Sequence, residues 1–159
     1  MFEEIAGLPL HPLAVHAVVV LVPLSVVVTL CYALVPKLRA HLEWGVVALA
    51  VLAPVSAVVA VLSGDAFARR RALPLEGALA DHRDLGRLTM IAALVLGVVA
   101  LVLVWSRRLP GSRLRTWLVG ALTVVVVLAA VAAGISAVRS GDSGARMVWG
   151  PIWELVDSG

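Results

Sequence analysis

Long runs of apolar residues, separated by short polar segments, dominate the pattern of the chain. Each run is 19 to 23 residues long, and the only charged side chain within them is Arg87. About 20 helical residues cross the ~30 Å hydrocarbon core of a bilayer, and backbone groups in lipid must pair within their own segment. The pattern therefore predicts four transmembrane helices, at about Leu13–Val35, Trp44–Leu62, Leu85–Trp105 and Trp117–Val138.

Composition strengthens this interpretation and excludes several classes of protein. The 159 residues are 62% hydrophobic and 14% charged, with a mean hydropathy of +1.04, whereas soluble chains are near half apolar and a quarter charged. A soluble enzyme, a nucleic-acid-binding protein and a disulfide scaffold, which the single Cys31 could not support, are excluded. The formal charge of +3 reflects short basic loops at a membrane surface. We expect one integral membrane domain over residues 1–159.

The distribution of basic residues predicts the orientation. With four spans, both termini share one face with the loop after the second span, and the other face carries two tight connections, 36–43 and 106–116. Six of the thirteen Lys and Arg residues lie within these two connections, close to helix ends. Because basic residues concentrate in cytoplasmic loops, we expect both termini outside the cytoplasm of a bacterial plasma membrane.

Local signals mark the ends and the packing of the helices. His11-Pro12 opens the first helix, Asp81 caps the third, and Gly64 and Gly141 suit the turns that end the second and fourth. Small residues four apart allow close helix contact, as at Ala53/Ala57, Ala93/Gly97 and Ala130/Gly134. The predicted fold class is an all-α, four-transmembrane-helix bundle, whose small-residue faces also allow a homo-oligomer.

An internal repeat connects the two halves of the chain. Residues 61–68 and 138–145 are identical at five of eight positions, including Ser-Gly-Asp in register. The first and third helices each have a histidine near their start. The halves therefore resemble two helical hairpins related by a pseudo-twofold axis along the membrane normal, which occurs in other membrane proteins. In this register His16 corresponds to His82, and Asp65 to Asp142.

These four ionisable residues are the candidate site, because charged groups at membrane depth are rare and functional by default. Two chemistries fit them. Haem b would take His16 and His82 as axial ligands between helices, and a single zinc, iron or manganese ion would take His16, His82, Asp65 and Asp142. Interfacial or solvated side chains without any ligand remain the alternative. The sequence shows no nucleophile–base pair of the kind that would indicate an enzyme.

Several short motifs together resemble a known bacterial family. The chain is similar to a four-span membrane family described as a domain of unknown function, some members of which are fused to Rieske iron–sulfur domains; members often have histidine at the position of Asp142. The resemblance implies the fold, the bacterial plasma membrane and a redox context. The motifs are Leu10–His16, Gly64-Asp65, His82 with Leu85-Gly86, Gly141–Ala145 and Val148–Gly150.

Two functions remain open at this point. One is a small redox component with haem b or a metal between His16 and His82 near the outer face, which exchanges electrons with a redox protein. The other is a non-catalytic accessory subunit of a membrane complex, whose small-residue faces bind other membrane subunits and which holds no cofactor.

Overall fold

The computed structural model describes residues 4–5 and 8–157, and four long helices make up most of that part of the chain. Two short strands, β1 (Glu4–Ile5) and β2 (Leu8–Pro9), pair antiparallel just before the first helix. A 3₁₀ turn, Pro36–Leu38, joins the first two helices. The helices are α1 (Leu10–Leu34), α2 (Arg39–Arg70), α3 (Ala78–Arg108) and α4 (Arg113–Asp157).

All four helices are long and apolar enough to span a membrane, as the hydrophobic runs predict. They also extend beyond those runs, most of all at the end of α2 and α4. The expectation that Gly64 and Gly141 end these helices is wrong, since both lie inside a helix that continues well past them. At Gly64, contacts with α1 and α3 hold the next turns in place, and such tertiary contacts outweigh the preference of glycine for helix ends.

The start of α3 also differs from the prediction. The capping residue is Gly77, whose φ of 55° lies in the left-handed region that glycine adopts without strain. The amide of Asp81 donates to the carbonyl oxygen of Gly77 at 3.1 Å, so Asp81 lies in the first turn and does not cap. An acidic side chain there still stabilises the helix through its dipole.

The helices form a four-membered ring in which each packs on the next and α4 closes back on α1. We call the end that carries both termini the terminal end, and the end with the two tight connections the loop end. Of the small residues expected at contacts, Ala53, Ala93 and Ala130 are buried. Gly97 comes so close to α2 that a Cβ there would overlap the carbonyl oxygen of Ala50.

Burial confirms two pseudo-repeated hairpins and corrects the register between them. Each buried residue of α4 in the core, such as Val126 and Ser136, lies 80 positions after a buried residue of α2, whereas the Ser-Gly-Asp repeat implies 77. Between α1 and α3 the spacing is 71. The corresponding buried pairs are Val46/Val126, Ala50/Ala130, Ala53/Ala133 and Ser56/Ser136, and Val22/Ala93, Ser25/Leu96, Thr29/Ala100, Tyr32/Leu103 and Ala33/Val104.

Arginines close the loop end of both hairpins by binding the free carbonyls at helix ends. Arg39 donates to the carbonyl oxygens of Tyr32 and Ala33, both at 3.2 Å, and Arg115 donates to that of Arg107 at 2.6 Å. Arg107 itself lies over the buried ring of Tyr32, 5.4 Å from its centroid. Cations at helix C-termini satisfy unpaired carbonyls and complement the helix dipole.

Candidate functional site

The terminal end brings two histidines to matching places in the two hairpins. His11 is the second residue of α1, and His82 lies in the second turn of α3. The spacing of 71 residues that relates the buried faces of α1 and α3 also relates these two histidines. The pseudo-twofold therefore places one histidine of each hairpin at the terminal end.

In the first hairpin, the imidazole of His11 packs on α2. Its Nδ1 lies 3.0 Å from the carbonyl oxygen of Ala60 and 3.5 Å from Oγ of Ser63. A Cβ at Gly64 would lie 2.9 Å from Cε1 of the imidazole, so only glycine leaves room for the ring. Phe67 stacks on its outer side, with ring centroids 6.4 Å apart and an angle of 26° between the planes.

The second hairpin repeats this arrangement around His82, on α4. Nδ1 of His82 lies 2.8 Å from Oγ of Ser143, which donates its own proton to the carbonyl oxygen of Ser140 at 2.9 Å. A Cβ at Gly144 would lie 3.0 Å from Cε1 of His82. Ser143 and Gly144 follow Ser63 and Gly64 by the same 80 positions that relate the buried faces of α2 and α4. We call His11, Ser63, Gly64, His82, Ser143 and Gly144 the twin-histidine site.

The hydrogen-bond partners favour the same tautomer, with the proton on Nδ1, in both imidazoles. A carbonyl oxygen can only accept, so Nδ1 of His11 carries the proton that goes to Ala60. The hydroxyl of Ser143 has already donated its proton, so its oxygen accepts from Nδ1 of His82. In each neutral imidazole Nε2 then carries a lone pair. The site thus presents two imidazole nitrogens that can bind a metal or accept a proton.

A partly buried ion-pair network ties the two hairpins together beside the histidines. The carboxylate of Asp65, at the end of α2, accepts from Nε of Arg83 at 2.8 Å and from Arg87 at 3.3 Å. The Asp65 side chain is only 18% exposed. Arg83 directly follows His82, so this network fixes the start of α3, and its histidine, against the end of α2.

Comparison with known proteins identifies the family. The family model described as predicted membrane protein, DUF2231, matches residues 7–151. The chain belongs to the DUF2231 family. The match covers both hairpins and every residue of the twin-histidine site. Neither the curated proteins nor the solved structures provide a match to this chain.

The DUF2231 chain does not bring the four predicted ligands together. His16 is exposed, and its Nδ1 lies 2.6 Å from the carbonyl oxygen of Pro12 in its own helix. The expectation that it turns inward towards His82 is wrong, because His11, five residues earlier and ~140° around the helix, occupies the inner face. Asp142 is also exposed and pairs with Arg146 at 2.8 Å, one turn further along α4. His82 and Asp65 lie at the interface between hairpins, but Asp65 is paired with arginines.

The four predicted ligands therefore do not form a mixed histidine–carboxylate site in the described part of the chain. Among the described residues, no group of three or more His, Cys, Asp or Glu side chains is placed to hold a metal ion. The expected correspondence of Asp65 with Asp142 is also wrong, since a spacing of 80 pairs Asp65 with Ala145.

Sequence reasoning missed His11, Ser63 and Ser143, although a signal for them exists. Residues 140–144 contain two Ser-Gly pairs, Ser140-Gly141 and Ser143-Gly144. Only the second pair lies as far along the chain from the buried residues of α4 as Ser63-Gly64 lies from the buried residues of α2. Aligning Ser56 with Ser136 gives that register directly. Both serines donate to the carbonyl three residues earlier, at 2.7 and 3.0 Å.

Proposed function

We propose that this DUF2231 protein is a small redox component of the bacterial plasma membrane that holds one haem b between His11 and His82. The observation that carries the proposal is the matched pair of imidazoles, each with Nδ1–H bonded to the neighbouring helix. Histidines that bind metals usually donate the other ring N–H to a carbonyl or a carboxylate, which fixes the tautomer and raises ligand basicity. Haem would supply one-electron chemistry at the site.

The number of available ligands favours haem over a single metal ion. A protein site for zinc or iron needs three or four side chains. Here two imidazoles are available, and the carboxylate of Asp65 has both oxygens bonded to arginine. A porphyrin provides four nitrogens of its own, so two histidines complete the iron coordination. Helical bundles commonly hold cofactors in this way.

The position of the pair suits electron exchange with a partner at the membrane surface. Trp105 is 63% exposed at the loop end of α3, where tryptophans lie at the interface between lipid and water. His82 is 23 residues earlier in the same helix, which corresponds to about 35 Å. The site therefore lies near the opposite surface of the bilayer, where a redox protein could approach it.

An absorption spectrum of the detergent-purified protein, before and after addition of dithionite and together with iron analysis, tests the proposal. We expect a Soret band and reduced bands typical of two axial histidines. His11→Asn and His82→Asn should each lose them, because asparagine can replace the Nδ1 donor but has no counterpart of Nε2. His16→Asn is the matched control and should keep the spectrum. A colourless, iron-free protein, expressed with sufficient haem, would overturn the proposal.

A non-catalytic accessory subunit is the second candidate, and one observation favours it. Both imidazoles already join two helices through Nδ1, which gives the histidines a structural role without any ligand. In that case His11→Asn should retain the thermal stability of the wild type, His11→Ala should lose it, and neither protein should be coloured.

A further inference from the structure

The loop end of α4 contains an apolar groove that faces away from the bundle. It has a volume of about 400 Å³ and is lined by Thr116, Trp117, Gly120, Ala121 and Val124. Each of these residues lies three or four positions from another of them, so together they share one face of the helix. Nothing lies within 4 Å of the place where a Cβ of Gly120 would be. The missing side chain therefore leaves an open depression.

Arg113 lies one helical turn before this groove, at the start of α4. It precedes Thr116 by three residues and Trp117 by four, so its side chain is on the same face of α4. Helical side chains point towards the N-terminus of their helix, which directs the guanidinium of Arg113 away from the membrane centre. The positive charge of Arg113 thus lies on the same helix face as the apolar depression, on the side away from the membrane centre.

Most of the other cations at the loop end stabilise the fold through a hydrogen bond or an ion pair, and Arg113 differs from them. Arg39, Arg107 and Arg115 bind helix carbonyls, and Arg108 pairs with Glu43. In the part of the chain that the structure describes, the exposed guanidinium of Arg113 has no hydrogen-bond or ion-pair partner. The two tight connections carry six Lys and Arg residues and one acidic residue, Glu43, so an anion is favoured there.

We propose that this groove binds one anionic phospholipid, with its phosphate on Arg113 and an acyl chain along Gly120 and Val124. Charge complementarity and the apolar lining identify the occupant. Arginine recognises phosphate through a planar fork of N–H donors, and the exposed indole N–H of Trp117 lies at headgroup level. Basic sites beside transmembrane helices bind anionic headgroups. This site is at the opposite end of the bundle from the twin-histidine site and is independent of any haem.

Native mass spectrometry of the full chain, released from detergent with an equal mixture of phosphatidylglycerol and phosphatidylethanolamine, tests the proposal. We expect one phosphatidylglycerol to be retained. Arg113→Gln should reduce its retention about fivefold, which is the usual effect of one basic residue near a membrane surface. Arg139→Gln removes an exposed arginine from the terminal end of the same helix and should have no effect.

A second pair of variants tests the groove separately from the charge. Gly120→Leu fills the depression and should reduce retention of the lipid while the protein still folds, since the added side chain meets open space. Gly141→Leu adds the same side chain at another open position of α4 and should retain the lipid.

Four results would overturn the proposal. The first is no selective retention of phosphatidylglycerol, and the second is equal loss of it in Arg113→Gln and Arg139→Gln, which would indicate general surface charge. The third is retention of added inorganic phosphate through Arg113 without retention of the lipid, which would indicate a site for free phosphate. The fourth is a wild-type dimer that Gly120→Leu converts to a monomer, which would make the groove a helix–helix interface.

Discussion

At the scale of single residues, the twin-histidine site depends on two glycines that make room for imidazole rings. Gly64 and Gly144 occupy positions in the middle of a helix, where glycine costs about 1 kcal/mol relative to alanine. The chain retains them because Cε1 of each histidine lies 2.9 or 3.0 Å from the place where a Cβ would be. The glycines are thus part of the site.

Replacing Gly144 tests this role against a neighbouring glycine. Gly144→Ala should lower the free energy of unfolding by about 1–2 kcal/mol, because the new methyl group displaces His82 from Ser143. Gly141→Ala, one turn earlier on α4, meets nothing within 4 Å and should raise stability by up to about 1 kcal/mol. Thermal unfolding in detergent measures both. Equal effects of the two substitutions would show that the imidazole does not need the space at Gly144.

Loss of the negative charge should affect stability differently at Asp65 and at Asp142. Asp65→Asn removes the negative charge and one of the two oxygens that accept from Arg83 and Arg87 in a partly buried network, and should cost about 2–3 kcal/mol, the value of hydrogen bonds to charged groups. Asp142→Asn removes an exposed pair with Arg146 within one helix and should cost no more than about 0.5 kcal/mol. The comparison is made by thermal unfolding at low and high salt. A larger loss for Asp142→Asn would contradict the assigned network.

At the scale of helices, apolar length predicted the existence and order of all four elements but not their ends. Lipid requires ~20 apolar residues per span, and this requirement is visible in the sequence. Beyond the lipid boundary, helix ends depend on contacts between helices. The continuation of α2 past Gly64 involves the stacking of Phe67 on His11 and the binding of Asp65 to Arg83, which no local pattern shows.

The close approach of α2 and α3 at Gly97 gives a prediction at this scale. Gly97→Ala should destabilise the bundle by about 1–3 kcal/mol, the usual cost of overpacking, because its methyl group would overlap the backbone of Ala50. Gly120→Ala is the control, since it faces open space on α4. Resistance to unfolding in detergent compares the two variants. Equal stability of both would show that α2 and α3 are further apart than described.

At the scale of the whole molecule, the repeat in the sequence predicted two related hairpins but gave the wrong register. The Ser-Gly-Asp identity is a match of residue types alone, whereas the structural correspondence follows burial and pairs Ala53 with Ala133 and Ala33 with Val104. A difference of three residues rotates a helix by ~60° and exchanges one set of side chains for another. Between α1 and α3, the pairing of His16 with His82 implies a spacing of 66, five residues short of the spacing of 71 that the buried residues give. Five residues correspond to ~140° around a helix, so His11 and not His16 lies on the inner face.

The orientation of the bundle is a prediction for the whole chain. The two loop-end connections hold six of the thirteen Lys and Arg residues, so the loop end should face the cytoplasm and both termini the outside. Reporters fused after Gly159, one active only in the periplasm and one only in the cytoplasm, measure this. Activity of the cytoplasmic reporter would show the opposite orientation and would place the twin-histidine site at the inner surface.

Titration of the haem-free protein with haemin tests whether one haem binds between the hairpins, since we propose that each hairpin supplies one of its two histidine ligands. For the wild type and for His16→Ala, the Soret absorbance should rise with added haemin and level off at one haem per chain. For His11→Ala or His82→Ala, assayed only as folded monodisperse protein, the six-coordinate spectrum should be absent. Unchanged binding of one haem per chain in both of these variants, or no saturable binding by the wild type, would show that His11 and His82 do not hold a haem.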